Sequence, residues 1–140
     1  MECNYTLCRN SKNIFNSFKD KRFRYYYADE HTSLYKARNL AINKSNGDLL
    51  SFIDTDDLWE KNKLELQVPL FKNPKISLVY SNLWIIKNNH RKKKIFIKAK
   101  SPSGFIYEKL LDEYNVGIIT AIFRKNIVNG LPNIFDERFS

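Results

Sequence analysis

The stretch Lys36–Gln67, KARNLAINKSNGDLLSFIDTDDLWEKNKLELQ, changes its apolar period twice, and those changes decide how the chain is built. Upstream of it Thr32 or Ser33 offers a cap, Leu34, Ala37, Ala41 and Ile42 fall on one helical stripe, and Asn46-Gly47 is a stop signal. Asp48 to Asp54 is then almost continuously apolar through Leu49, Leu50, Phe52 and Ile53, the pattern of a strand covered on both faces in a parallel sheet. From Leu58 the helical period returns through Leu64, Gln67 and Phe71, with Pro69 expected to kink or shorten that helix. Between strand and helix stand three carboxylates, Asp54, Asp56 and Asp57, and then Trp59.

Outward from this block the units continue to alternate. Ser11–Asp20 spaces Ile14, Phe15 and Phe18 as a helix, and Arg22–Tyr27 follows as a strand. Downstream, Ile76–Ile86 reads as one strand, and Asn88–His90 as a turn into an alternating edge strand, Lys94–Lys98. Gly104–Tyr114 reads as a short amphipathic helix and Val116–Arg124 as a buried strand. Such alternation predicts a layered α/β domain with a mostly parallel sheet, whose ligands sit beyond the carboxyl ends of the strands.

Composition sets the bounds. In 140 residues, 43% hydrophobic and 14% aromatic, with four Gly and four Pro, one folded domain without a long linker is expected. The formal charge of +9 favours anionic partners, whether nucleotide phosphates, nucleic acid or an acidic membrane surface. Cys3 and Cys8 lack further Cys or His at ligand spacing, so neither a zinc site nor a disulfide framework is expected, and a reducing cytoplasm is the default. The longest apolar run, Val116–Phe123, falls far below the roughly 20 residues a spanning helix needs.

Three carboxylates in four residues repel one another unless a cation sits among them, and Mg²⁺ or Mn²⁺ takes oxygen ligands of this type. On an extended chain Asp54 and Asp56 would share a side, one free to touch a metal and the other a hydroxyl. The plainer alternative makes Asp56 or Asp57 the cap of a helix beginning near Leu58.

The block resembles the centre of family 2 glycosyltransferases, inverting enzymes of the GT-A fold. The likeness rests on Ala37-Arg38-Asn39, Gly47-Asp48, the Asp54–Asp57 turn, Trp59 and Lys63-Leu64-Glu65, and extends to the FDERF phrase at Phe135–Phe139. It implies a GT-A α/β fold and transfer of a sugar, with inversion, from a nucleotide-sugar donor to an acceptor hydroxyl, as in polysaccharide biosynthesis. Asp56 is implied as ligand of a Mn²⁺ or Mg²⁺ bridging the diphosphate, and Asp54 as a ribose contact or second ligand. Asp57 would help position the sugar, and Arg38 would lie on the nucleotide side, although an ion pair of Arg38 with one of those aspartates is its alternative. The acceptor would be a saccharide or a lipid-linked one.

Measured against that family, residues 1–140 read as a partial domain. MECNYTLCRN, at Met1–Asn10, has no aspartates matching the base-binding turn, and Ser140 falls short of the Glu-Asp pair that carries the general base. Asp136 and Glu137 match the preceding phrase, so no catalytic base is assigned. The expectation is an incomplete glycosyltransferase domain, a gene fragment or part of a split reading frame, impaired and poorly soluble alone unless a complementing chain covers it.

A non-catalytic binding or partner module is the alternative, and a small nucleic-acid binder is set below both. Arg91–Lys94 could steer a lipid-linked acceptor or a membrane surface, but reads more simply as a solvated hairpin tip, leaving a peripheral membrane contact open beside the cytoplasmic location. Tyr25–Tyr27 read as core and rim rather than as a base-stacking platform. His31 and His90 lack relay or ligand partners.

Overall fold

The computed structural model describes residues 11–27, 32–87, 92–97, 100–113 and 116–138. Cys3, Cys8, His31, His90, Arg91 and the expected turn at Asn88–His90 lie outside these. The chain divides into two compact units, Met1–Ser45 with Leu131–Ser140, and Asn46–Gly130.

In the first unit α1 covers Ser11–Ser17 and α2 covers Leu34–Lys44. Ser33 caps α2, its side chain accepting from the Lys36 amide, as its position before the apolar stripe predicts. The helix ends earlier than Asn46-Gly47: the Ser45 hydroxyl and amide both donate to the Ile42 carbonyl, at 2.7 and 3.1 Å. Ile42 is buried on its inner stripe. Arg22–Tyr27 is not a strand. Its rings instead pack on α1, with Phe15–Tyr25 and Phe18–Phe23 centroids 5.2 and 5.7 Å apart and the Tyr25 and Ser11 hydroxyls 2.9 Å apart. Tyr26 and Tyr27 are exposed.

The second unit holds β1 (Leu49–Ser51), α3 (Lys63–Gln67), β2 (Leu78–Val79), β3 (Trp84–Lys87), β4 (Lys92–Ile95), α4 (Tyr107–Asp112) and β5 (Ile122–Arg124). One sheet has the order β1-β5-β2, and β3-β4 form a separate hairpin. Helices and sheets are both present, as an α/β chain requires. The mostly parallel sheet is not what these strands form: every ladder among the described residues is antiparallel. The reason is the position of β5. It enters between β1 and β2, opposed to both, so those two strands run the same way without touching.

Ile122, 2% exposed, is the centre of this unit, with Leu50, Phe71 and Ala121 also buried. Arg124 ties the sheet to the segment after α3: its Nε donates to the Ile76 carbonyl at 2.8 Å and its terminal nitrogen to the Phe71 and Asn73 carbonyls at 2.6 and 3.1 Å. Pro69 acts as its missing amide dictates, because α3 gives way there to a 3-10 segment, Val68–Lys72. The expected strand Ile76–Ile86 is broken at Asn82. That side chain accepts from the Ile97 and Leu83 amides, at 3.0 and 2.9 Å, and donates to the Ile97 carbonyl at 2.6 Å, replacing ladder bonds with its own. No helix among the described residues is long and apolar enough to cross a membrane.

Candidate donor site at the acidic turn

β1 is shorter than the apolar run that makes it, stopping at Ser51, so the carboxylates do not lie on extended chain. The Asp57 amide donates to the Asp54 carbonyl at 3.1 Å and closes a four-residue turn over Thr55 and Asp56. Asp at the first position is a common choice for such a turn. Sharing a side by strand alternation therefore does not apply. What gathers Asp54, Asp56 and Asp57 is the reversal of the chain.

Capping does not account for these acids. The helix begins at Lys63 rather than near Leu58, and Asn62 occupies its cap without a side-chain bond. Asp56 is exposed, whereas Asp54 and Asp57 are half-buried. Burial pushes the Asp57 carboxyl above its ordinary range, and the charges on Asp56 and then Asp54 push it the same way.

The turn is braced on both sides. Before it, β1 pairs Leu49, Leu50 and Ser51 with Arg124, Phe123 and Ile122, and the Ser51 hydroxyl donates to the Ala121 carbonyl at 2.6 Å. After it, the Trp59 indole donates to the Ile119 carbonyl at 2.9 Å. Lys63 lies over the Trp59 ring at 4.7 Å and donates to Gln67 and, at 3.3 Å, to the Thr120 carbonyl. Buried Gln67 donates to the same carbonyl at 3.1 Å. Neutral acceptors thus hold Lys63, and burial lowers its pKa from the ordinary value. Sequence reading had no hold on Ser51, Gln67 and Thr120 as a group; only the polar Gln67 at a buried helical position hinted at it.

The remaining site residue, Arg38, belongs to the first unit, where its guanidinium lies over the Phe135 ring at 5.5 Å. Beside it Asn39 is almost wholly buried and uses all four of its hydrogen-bonding positions. Its amide donates to the Phe135 carbonyl and to Glu137 Oε1, both at 2.9 Å, while its oxygen accepts from the Ile134 and Phe135 amides at 3.2 and 3.0 Å. Asp136 receives a two-pronged bond from Arg138, which holds its carboxyl below the usual range. Both carboxylates of the FDE phrase therefore have structural partners.

The turn's carboxylate oxygens are of the kind a hard divalent cation takes. Among the described residues no three His, Cys, Asp or Glu side chains form a ready-made cage. Such a turn fits a cation of the Mg²⁺ kind, which takes one or two protein carboxylates and completes its shell with substrate phosphates.

Residues 9–129 match the family model described as Glycosyl transferase family 2. The chain is 32% identical over 112 residues to the UDP-Glc:alpha-D-GlcNAc-diphosphoundecaprenol beta-1,3-glucosyltransferase WfgD of Escherichia coli, covering 80% of this chain and 43% of that protein. It is 26% identical over 135 residues to a glucosyltransferase of the same description, WfaP of Escherichia coli, covering 94% of this chain and 50% of that protein. The chain thus spans half or less of the length of these relatives. No solved structure matches.

Proposed function

Since the chain belongs to glycosyl transferase family 2, we propose that its acidic turn is the donor site of a GT-A domain, binding a nucleotide-sugar through its diphosphate. The domain serves metal-dependent sugar transfer to an acceptor hydroxyl with inversion. The observation that supports this best is the turn itself, closed by the Asp57 amide on the Asp54 carbonyl, which holds three carboxylates within four residues; Asp57 is raised by burial and then by the charges of Asp56 and Asp54. Asp56, the exposed member, would hold Mn²⁺ or Mg²⁺, with Asp54 beside it. When bound, the cation would neutralise charge on the departing nucleoside diphosphate. Asp57 would orient the sugar.

The two relatives are named for UDP-glucose and a diphosphoundecaprenol-linked acceptor, so a UDP-sugar and a lipid-linked saccharide are the donor and acceptor to try first. No general base, a contribution commonly worth about 10²–10⁴ in rate, is assigned among the described residues. Donor binding is therefore the property to measure.

The experiment is a thermal-shift titration of the 140-residue chain with UDP, GDP, CDP and dTDP, with and without Mn²⁺, beside Asp56→Ala. One nucleotide should stabilise the chain only with Mn²⁺, and Asp56→Ala should abolish that shift. Equal shifts without the metal, or in the variant, would refute the assignment.

A further inference from the structure

The charge of this chain is not spread along it. Between Glu65 and Glu108 lie nine Lys and Arg residues and no Asp or Glu, so this segment carries the whole formal excess of +9 and the remainder sums to zero. At its middle is the β3–β4 hairpin. Its register places Trp84 opposite Ile95 and Ile86 opposite Lys93, which puts these four side chains on one face. Ile85 and Lys94, opposite each other, occupy the other face.

The usual hairpin turns its apolar face inward and its polar face to water. Here the face with more apolar residues is the open one: Trp84 is 52% exposed, Ile86 40% and Ile95 38%, while Ile85 on the opposite face is half-buried. Phe96, just past β4, is also exposed. Lys93 stands exposed on the Trp84 face, and Lys87 and Lys94, also exposed, on the opposite one.

We propose that this hairpin docks on an anionic lipid bilayer surface, its Trp84–Ile86–Ile95 face entering the interfacial layer, Lys93 of that face meeting lipid phosphate and the positive charge of the surrounding segment drawing it to the anionic leaflet. An indole suits the headgroup level, lysine stems can lie along apolar surface with their charges in water, and basic residues beside apolar ones read as attraction to anionic leaflets. Charge complementarity selects this occupant. A second copy would bring the same concentrated positive charge to the contact. A nucleic acid would satisfy the lysines but leave Ile86 and Ile95 in water. The inference goes beyond the sugar-transfer reading and stands without it.

The test is co-sedimentation of the full 140-residue chain with vesicles of phosphatidylcholine, with and without phosphatidylglycerol, at low and high salt. Binding should require phosphatidylglycerol and weaken with salt. Lys93→Gln, on the docking face, should weaken it by about fivefold, and Lys94→Gln, on the opposite face, by less. Trp84→Ala should weaken it several-fold at either salt. Equal binding to neutral vesicles, or no binding, would overturn the proposal. So would preferential binding to single-stranded RNA indifferent to Trp84→Ala, which assigns the lysines to nucleic acid. A dimer by light scattering that Trp84→Ala dissociates would overturn it as well, by assigning the face to self-association.

Discussion

At Asp57 the acidic turn disfavours the charged carboxylate. Its carboxyl is raised from the ordinary 3.8 by burial, then by Asp56 and Asp54. A raised acid binds its proton more tightly in the native state than in the unfolded one. Stability therefore falls as pH rises from the ordinary carboxylate range through the native value, and the penalty persists at neutral pH. Asp57→Asn is thus expected to raise the melting temperature slightly at neutral pH, with the gain shrinking as pH is lowered toward 3.8. The same change should weaken the Mn²⁺-dependent nucleotide shift. Paired melts across pH check this, and a loss of stability at neutral pH would show that a cationic neighbour compensates the carboxylate. The three acids were legible as a cluster because their spacing is local; the partners of Trp59, Lys63 and Gln67 were not, because the carbonyls they meet lie more than fifty residues away.

Among the elements, those marked by local chemistry came out as read. Ser33 caps α2 and Pro69 ends α3, and the antiparallel edge expected at Lys94–Lys98 forms two residues earlier, as β4 at Lys92–Ile95. Elements set by long-range partners did not. Arg22–Tyr27 has strand composition but no neighbouring strand, and Asn82 interrupts an apolar run because its amide finds Ile97. Asn39 works the same way at the inner face of α2. It looks like one residue of an Ala-Arg-Asn motif, yet it holds the 134–137 segment through four bonds. Asn39→Ala leaves two part-buried amides and a carbonyl short of partners, and should cost about 1–3 kcal/mol. Urea unfolding measures it, and a change below the error of the midpoint would mean that water replaces the side chain.

Over the whole molecule the balance is between few buried apolar side chains and many exposed ones. Five hydrophobic residues are buried among those described, whereas Phe105, Leu58 and Leu111 are 91, 75 and 69% exposed. A charge of +9 keeps such surfaces apart by repulsion. Salt should remove that protection: as the screening length falls to about 3 Å near 1 M, dynamic light scattering should register self-association. A monodisperse chain at both extremes would show that the exposed apolar residues are too scattered to associate. The alternation of helix and strand, the acidic turn, its kinship and the charge excess were determined by the sequence itself, since each is a property of neighbours along the chain. Tertiary structure alone decided that β5 runs between β1 and β2, that Asp57 closes a turn rather than capping a helix, and that the hairpin turns Trp84 outward. Strand order, burial and exposure are set by residues distant in sequence, and no local pattern carries them.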